Sequence, residues 1–154
     1  MRILFVCLGN ICRSPTVEAV FQHRLRQAGL DSVVVIDSAG TGNWHVGKAP
    51  DSRATVAAGL RGYDLSPLRA RQVSPEDFDR FDLILAMDAQ NLADLRSIRP
   101  AASAARLDLF LRHVGMMPED VPDPYYGQDD GFDRVLDLVE RGSEVLLDDI
   151  RRLL

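Results

Sequence analysis

Residues 2–15 read Arg2-Ile3-Leu4-Phe5-Val6-Cys7-Leu8-Gly9-Asn10-Ile11-Cys12-Arg13-Ser14-Pro15. The run Ile3-Leu4-Phe5-Val6 has the length and composition of a buried strand. Gly9 and Asn10 mark a tight polar turn. Ser14 followed by Pro15 is the signature of a helix start, with Ser14 as N-cap and Pro15 as first helical residue. The stretch therefore predicts strand, turn and helix in immediate succession, with a thiol at the carboxyl end of the strand. A helix N-terminus facing that thiol supplies backbone N–H groups and partial positive charge, and both favour the thiolate, the reactive form.

Outward from this stretch, apolar runs alternate with helical patterns, as expected for βαβ units and a mostly parallel sheet. Strands are predicted over 2–6, 33–37, 81–86 and 106–110. Helices are predicted over 15–28, 52–61 and 132–153. A short helix opens at Ser74-Pro75-Glu76-Asp77, and another follows Asp88 as cap and runs to Ser97. Val17, Val20, Phe21 and Leu25 form an apolar stripe on the first helix, which Gly29 terminates. Phe132, Val135, Leu136, Val139, Leu146, Ile150 and Leu153 mark the buried face of the last. Polar, Gly-rich residues 38–50 and Pro/Asp/Gly-rich residues 116–130 are read as loops, and Asp51 caps the second helix. No internal repeat, low-complexity tract or linker interrupts the pattern, so residues 1–154 are expected to form one α/β domain.

The 154 residues carry 46% hydrophobic and 27% charged side chains, an ordinary balance for a globular protein with one sizeable core. The net charge of −5 argues against nucleic acid or an anionic membrane as a general partner. An anionic ligand would have to be held by local geometry. Two cysteines, Cys7 and Cys12, are too few for a disulfide framework, which fits a reducing cytoplasm. The apolar run 3–8 falls short of the roughly 7–15 residues of a signal-peptide core.

Cys7 and Arg13 close the two ends of one turn. A guanidinium there offers a planar fork that fits phosphate oxygens two at a time. Asn10 can lock the loop with amide hydrogen bonds, Gly9 supplies the backbone freedom of a tight turn, and Ser14 can donate to the Cys7 sulfur. Nucleophile, anion cradle and cationic clamp within eight residues point to a cysteine-based phosphatase. Cys12 is read either as a resolving thiol for a reversible disulfide with Cys7 or as a small packed side chain. His23, His45 and His113 are scattered, so no metal site is expected. Asp123, in Asp123-Pro124-Tyr125-Tyr126-Gly127, is the candidate proton donor, although acidic Pro-rich loops are commonly just solvated. Trp44, the one Trp, is either an anchor folded onto the core or an exposed stacking surface.

The run 7–15 resembles the phosphate loop of the low-molecular-weight protein tyrosine phosphatases, and 123–127 resembles their general-acid loop. Asp37-Ser38-Ala39-Gly40-Thr41, Pro50-Asp51-Ser52-Arg53, Arg69-Ala70-Arg71-Gln72 and residues 81–88 resemble further family stretches in the same order. The resemblance implies a three-layer sandwich, a four-stranded parallel sheet with helices on both faces. It implies Cys7 as nucleophile, Arg13 as phosphate clamp and Asp123 as acid and then base. Phosphate would be cradled by Leu8, Gly9, Asn10, Ile11, Cys12 and Ser14. Leu8, Trp44, Tyr125 and Tyr126 would line the slot for the substrate ring, and Asn10, Ser14 and Ser38 would support the loop. Leu68 departs from the family, many members of which carry a His there that joins the network behind the loop.

The resemblance also implies phosphotyrosine-containing proteins as partners, a tyrosine kinase among them, and chemistry that needs no cofactor; a cytoplasmic monomer is the default expectation. An arsenate reductase of the same fold is excluded as a self-contained thiol relay, because no cysteine follows Cys12. A phosphoarginine phosphatase is disfavoured by Ile11, where such members tend to carry Thr, and by the aromatic side chains Trp44, Tyr125 and Tyr126. A non-catalytic phosphate-binding module is the remaining alternative.

Overall fold

Four strands, β1 (Arg2–Cys7), β2 (Val35–Gly40), β3 (Leu83–Ala86) and β4 (Arg106–Leu109), pair in parallel in the order β2-β1-β3-β4. The computed structural model describes residues 1–125 and 130–154. Around the sheet lie α1 (Arg13–Gln27), α2 (Ser52–Leu60), α3 (Asp77–Arg80), α4 (Ala89–Ile98), α5 (Phe110–His113) and α6 (Gly131–Leu153).

The period-two alternation of the strands divides the core. Ile3, Phe5 and Cys7 of β1 join Leu83 and Leu85 of β3 on one face, under α1, α2, α5 and α6. Leu4 and Val6 join Ile84 and Ala86 on the other, under Phe78 of α3 and Leu92 and Leu95 of α4. Helices thus cover both faces, as parallel sheets require, and the three-layer α/β sandwich is borne out. Phe5 anchors the larger face, edge-on to Phe21 at 6.0 Å and to Phe110 at 5.9 Å between centroids. Truncating such a fully buried ring to Ala typically costs about 3–5 kcal/mol.

Several boundaries differ from the pattern reading, each for a local reason. β2 begins at Val35, because the N–H groups of Val33 and Val34 are taken by Leu30 O in the turn after α1. It runs on to Gly40, because β1 offers partners as far as Cys7. Residues 38–40, read as loop, are therefore strand. α1 starts at Arg13, with Cys12 in the cap position and no side-chain cap. Ser14 is not the cap, because its hydroxyl is held by Cys7 and Asn10. Phe110 leaves β4 and opens the single turn α5. Leu153 is 73% exposed, lying beyond Ile150, the last buried residue of α6. Asp51 and Asp88 do cap α2 and α4, and Asn91 completes a capping box with Asp88.

The chain runs from β1 to β2 on one side, then crosses to β3 on the other side of β1. In open parallel sheets ligands bind beyond the carboxyl ends of the strands at such a switch point, and Cys7 is the residue that ends β1. No helix among the described residues is long and apolar enough to cross a membrane.

Candidate active site

Cys7 stands in register with Gly40 of β2. The ladder continues past the strand ends, with Thr41 N–H donating to Cys7 O and Gly42 N–H to Leu8 O, both at 2.9 Å. Gly40 permits this approach, because a Cβ there would lie 2.7 Å from Leu8 O and 3.1 Å from Gly9 C. The loop after β1 is thereby laid against the end of β2.

The unusual backbone angle expected of Gly9 belongs to Asn10, at φ 56°. Asn tolerates this left-handed region better than most residues. Gly9 serves a different need, since a Cβ on it would come within 2.9 Å of His45 Cδ2. The turn at Asn10 points its N–H at Cys7 Sγ, 3.2 Å away, and Ser14 Oγ is 3.0 Å from the same sulfur. Asn10 Nδ2 donates to Ser14 Oγ at 2.8 Å and to Ser38 Oγ at 3.0 Å, and Asn10 Oδ1 accepts from Arg71 N–H at 3.0 Å. Ser38 Oγ donates in turn to Glu18 Oε1 at 2.6 Å. Asn10, Ser14 and Ser38 therefore form one bonded unit behind the sulfur. Leu68 packs on the larger apolar cluster, and the backbone of Arg71 fills the acceptor of Asn10.

Arg13, only 3% exposed, donates through Nη1 to Asp88 Oδ2 at 2.6 Å and to Val121 O at 3.0 Å. Its Nη2 lies 3.7 Å from Asp123 Oδ2. Burial opposes the guanidinium charge, but Cys7, Asp88 and Asp123 outweigh it and raise its proton affinity above the ordinary arginine value. One buried cation thus ties the nucleophile loop to the segment bearing Asp123. Val121 N–H donates to Met87 O at 2.7 Å, fixing the base of that segment to the end of β3. Further out, Arg53 forks onto Asp51, donates to Tyr125 O at 3.2 Å, and lies 5.4 Å from the Tyr125 ring centroid.

Cys7, Leu8, Gly9, Ile11, Cys12 and Arg13 form the floor of a cleft of about 90 Å³, and Trp44, His45, Asp123 and Tyr125 form its walls. Of the residues predicted to cradle phosphate, Asn10 and Ser14 lie behind this floor and hold it. Of those predicted for the ring slot, Leu8, Trp44 and Tyr125 meet at the cleft, and Tyr126 lies outside the described residues. Trp44 is 58% exposed, so it is a surface for stacking and not a core anchor. Cys7 and Cys12 are both free thiols. Burial, reinforced by Asp51, Cys7 and Asp123 against Arg53, pushes the Cys12 thiol up to about 12, leaving it neutral. Among the described residues no three His, Cys, Asp or Glu side chains are grouped to hold a metal ion.

Asp88, Glu18 and His45 were not legible as site residues. Asp88 carries a helix-cap signal that hides its pairing with Arg13. Glu18 looks like an ordinary polar position on an amphipathic helix, and nothing in sequence brings it to Ser38. His45, beside Trp44, has a local signal only in being adjacent to a singled-out aromatic.

A sulfur flanked by inward N–H and hydroxyl groups, a guanidinium beside it and a carboxyl at the rim suit transfer of a tetrahedral anionic group to that sulfur. The family model described as low molecular weight phosphotyrosine protein phosphatase matches residues 2–153. A low molecular weight protein-tyrosine-phosphatase from Streptomyces coelicolor is 46% identical, over 97% of this chain and 93% of that protein. The crystal structure of a protein tyrosine phosphatase from Entamoeba histolytica, with Hepes in its active site, superposes with a TM-score of 0.93. It is 38% identical over 99% of this chain and 97% of that one. A drosophila arginine phosphatase superposes with a TM-score of 0.91 at 31% identity, covering 97% of this chain and 98% of that one.

Proposed function

The chain belongs to the low molecular weight phosphotyrosine protein phosphatase family, and on that premise we propose that Cys7, Arg13 and Asp123 carry its chemistry. It is an enzyme that hydrolyses phosphotyrosine. The observation that supports this residue assignment best is the convergence on one cleft of the Cys7 sulfur, the Arg13 guanidinium and, 3.7 Å from that guanidinium, the Asp123 carboxylate.

The Cys7 thiolate attacks phosphorus in line with the departing phenolic oxygen. Arg13 and the N–H groups of the loop hold the equatorial oxygens, whose charge persists through a loose transition state. Asp123 gives its proton to the leaving phenolate as the P–O bond breaks and the S–P bond forms. The resulting phosphocysteine is hydrolysed by a water from which the Asp123 carboxylate takes a proton, and phosphate and free thiolate are released. Arg13 meets the phosphoryl charge, so no metal is invoked. Leu8, Trp44 and Tyr125 clasp the substrate ring, Leu8, Gly9, Ile11 and Cys12 cradle the phosphate, and Asn10, Ser14 and Ser38 hold the loop.

Residues 1–154 act as one domain and as a cytoplasmic monomer, on phosphoprotein substrates that include a tyrosine kinase. Under oxidation Cys12 closes a reversible disulfide with Cys7. A peroxide oxidises the Cys7 thiolate to a sulfenic acid and is itself reduced. The Cys12 sulfur, losing its proton as it attacks, then displaces hydroxide, which leaves as water, from the Cys7 sulfur. The raised proton affinity of Cys12 makes this step slow while keeping Cys12 from competing for phosphorus.

The likeness to an arginine phosphatase motivates a second reading, hydrolysis of phosphoarginine. Ile11 on the cleft floor and Trp44 on its wall favour a flat aromatic ring instead. Initial rates on matched phosphotyrosine, phosphoarginine and phosphoserine peptides without metal decide the matter, with Cys7→Ser as blank. Turnover confined to phosphotyrosine is expected. A preference for phosphoarginine overturns the use made of Ile11 and Trp44, and silence on all three leaves only a phosphate-binding module.

A further inference from the structure

Glu18 is the end member of the hydrogen-bonded unit behind the phosphate loop, and the reaction as written does not use it. It lies on α1, one turn after Ser14. Its Oε1 accepts from Ser38 Oγ at 2.6 Å, so the lone pairs of Ser38 face Asn10 Nδ2 at 3.0 Å. The other hydrogen of that amide goes to Ser14 Oγ at 2.8 Å. The Ser14 hydroxyl hydrogen then has Cys7 Sγ at 3.0 Å as its near acceptor, against Ala39 O at 3.5 Å. Each donor in this series is directed by the next acceptor, and the series ends at a carboxyl.

We infer that Glu18 is a positioning residue of the phosphate loop: it directs the Ser38–Asn10–Ser14 relay toward the sulfur and, through its own charge, sets the affinity of the loop for a tetrahedral anion. The inference rests on the phosphatase reading of the same cleft. The charged groups set against Glu18 are Asp37 on β2 and Arg71. Arg71 is divided between Asp37 at 3.0 Å and the buried Asp77 at 3.0 and 3.1 Å. Burial, with Asp37 acting in the same sense and with Ser38 and Arg71 opposing, pushes the carboxyl up to about 7.

Below that value Glu18 is neutral, with Oε1 still free to accept from Ser38 and the proton on Oε2. Above it a negative charge stands behind the anion site. Anion affinity therefore falls as pH rises through about 7, and by reciprocity a bound anion strengthens the hold of Glu18 on its proton.

Inorganic sulfate, whose charge is constant over this range, is the probe. Its Kd is measured by calorimetry for the wild type and Glu18→Gln at about pH 5.5 and about pH 8.5, on either side of the Glu18 ionisation. The expected result is that the wild type weakens across the interval by at least about fivefold more than Glu18→Gln, which keeps the acceptor without the charge. Glu18→Leu, which has no acceptor, should lose about tenfold in kcat/KM on an aryl phosphate at the lower pH, and Glu18→Gln should recover most of it. If Glu18→Leu does not fold, the Glu18→Gln comparison decides alone. Parallel pH dependence in wild type and Glu18→Gln overturns the inference, as does wild-type kcat/KM in Glu18→Leu. Turnover that is present in the wild type and lost in Cys7→Ser keeps the phosphatase reading whatever Glu18 does. Its absence refutes that reading without touching the sulfate result.

Discussion

Behind the phosphate loop, Asn10, Ser14 and Ser38 are 3%, 0% and 5% exposed, and each is bonded to the next. In front of it, Trp44 is 58% and Leu8 38% exposed, and the Asp123 side chain is 40% exposed. The rear is closed on itself by hydrogen bonds. Its polar groups satisfy one another out of water, where each bond is worth more and each loss costs more. Among the described residues the front is a set of surfaces with the Asp123 carboxyl, tethered by Arg13 to Val121 O and by Arg53 to Tyr125 O. A site built this way should lose chemistry when its rear, its charged centre or the Asp123 carboxyl is altered, and lose selectivity when the surfaces of its front are altered.

The largest effect tests the Asp123 carboxyl in the front. Asp123→Ala should lower kcat on phenyl phosphate by about 10²–10⁴-fold. The loss should shrink on an aryl phosphate whose phenol leaves without a proton, and an equal loss on both substrates would break the acid assignment. Next comes Arg13→Lys, which keeps the charge but not the fork. A fall in kcat/KM of roughly 10²-fold is expected from steady-state rates, and near-normal activity would mean that charge alone suffices. Gly40→Ala pushes the rear against Leu8 O. It should lower stability by about 1–3 kcal/mol in denaturant titration and kcat/KM by about tenfold, with kcat affected as well as KM. Trp44→Ala touches only the front, so KM for a phosphotyrosine peptide should rise about threefold to tenfold with kcat little changed.

The last effect is read in stability and not in turnover. The carboxyl of Glu18 has a folded-state pKa raised to about 7. Its contribution is thus present below the ordinary glutamate value and is lost as pH rises through about 7. Thermal unfolding of the wild type should therefore weaken relative to Glu18→Gln between about pH 5 and about pH 8. An unchanged difference would remove the titrating group from the rear.

Much of this division was legible in the chain because it is local. Strand, turn and helix follow one another within residues 2–27, so Cys7, Arg13 and the loop between them could be read together. The apolar alternation of β1 and β3 and the caps at Asp51 and Asp88 are likewise written within a few residues. The rest depends on residues remote in sequence. Arg13 meets Asp88 75 positions away, and Asn10 meets Arg71 61 positions away. Glu18 meets Ser38 only because α1 packs beside β2, across 20 positions. The extent of β2 was misjudged for the same reason: a strand's length is set by its partner, and β1 lies more than thirty residues upstream. Gly9 and Asn10 exchanged roles because composition shows that a turn is present, not which residue carries the left-handed angle.

The central claim is that Cys7 takes the phosphoryl group. Rapid acid quench of the enzyme during turnover of an aryl phosphate, followed by mass mapping of its peptides, tests it most directly. The account predicts phosphate on Cys7 alone, with more of it in Asp123→Ala given a substrate with a good leaving group, because hydrolysis of the intermediate is then slowed. It predicts none on Cys12 and none anywhere in Cys7→Ser. Turnover without a labelled cysteine, or turnover that survives in Cys7→Ser, would contradict it.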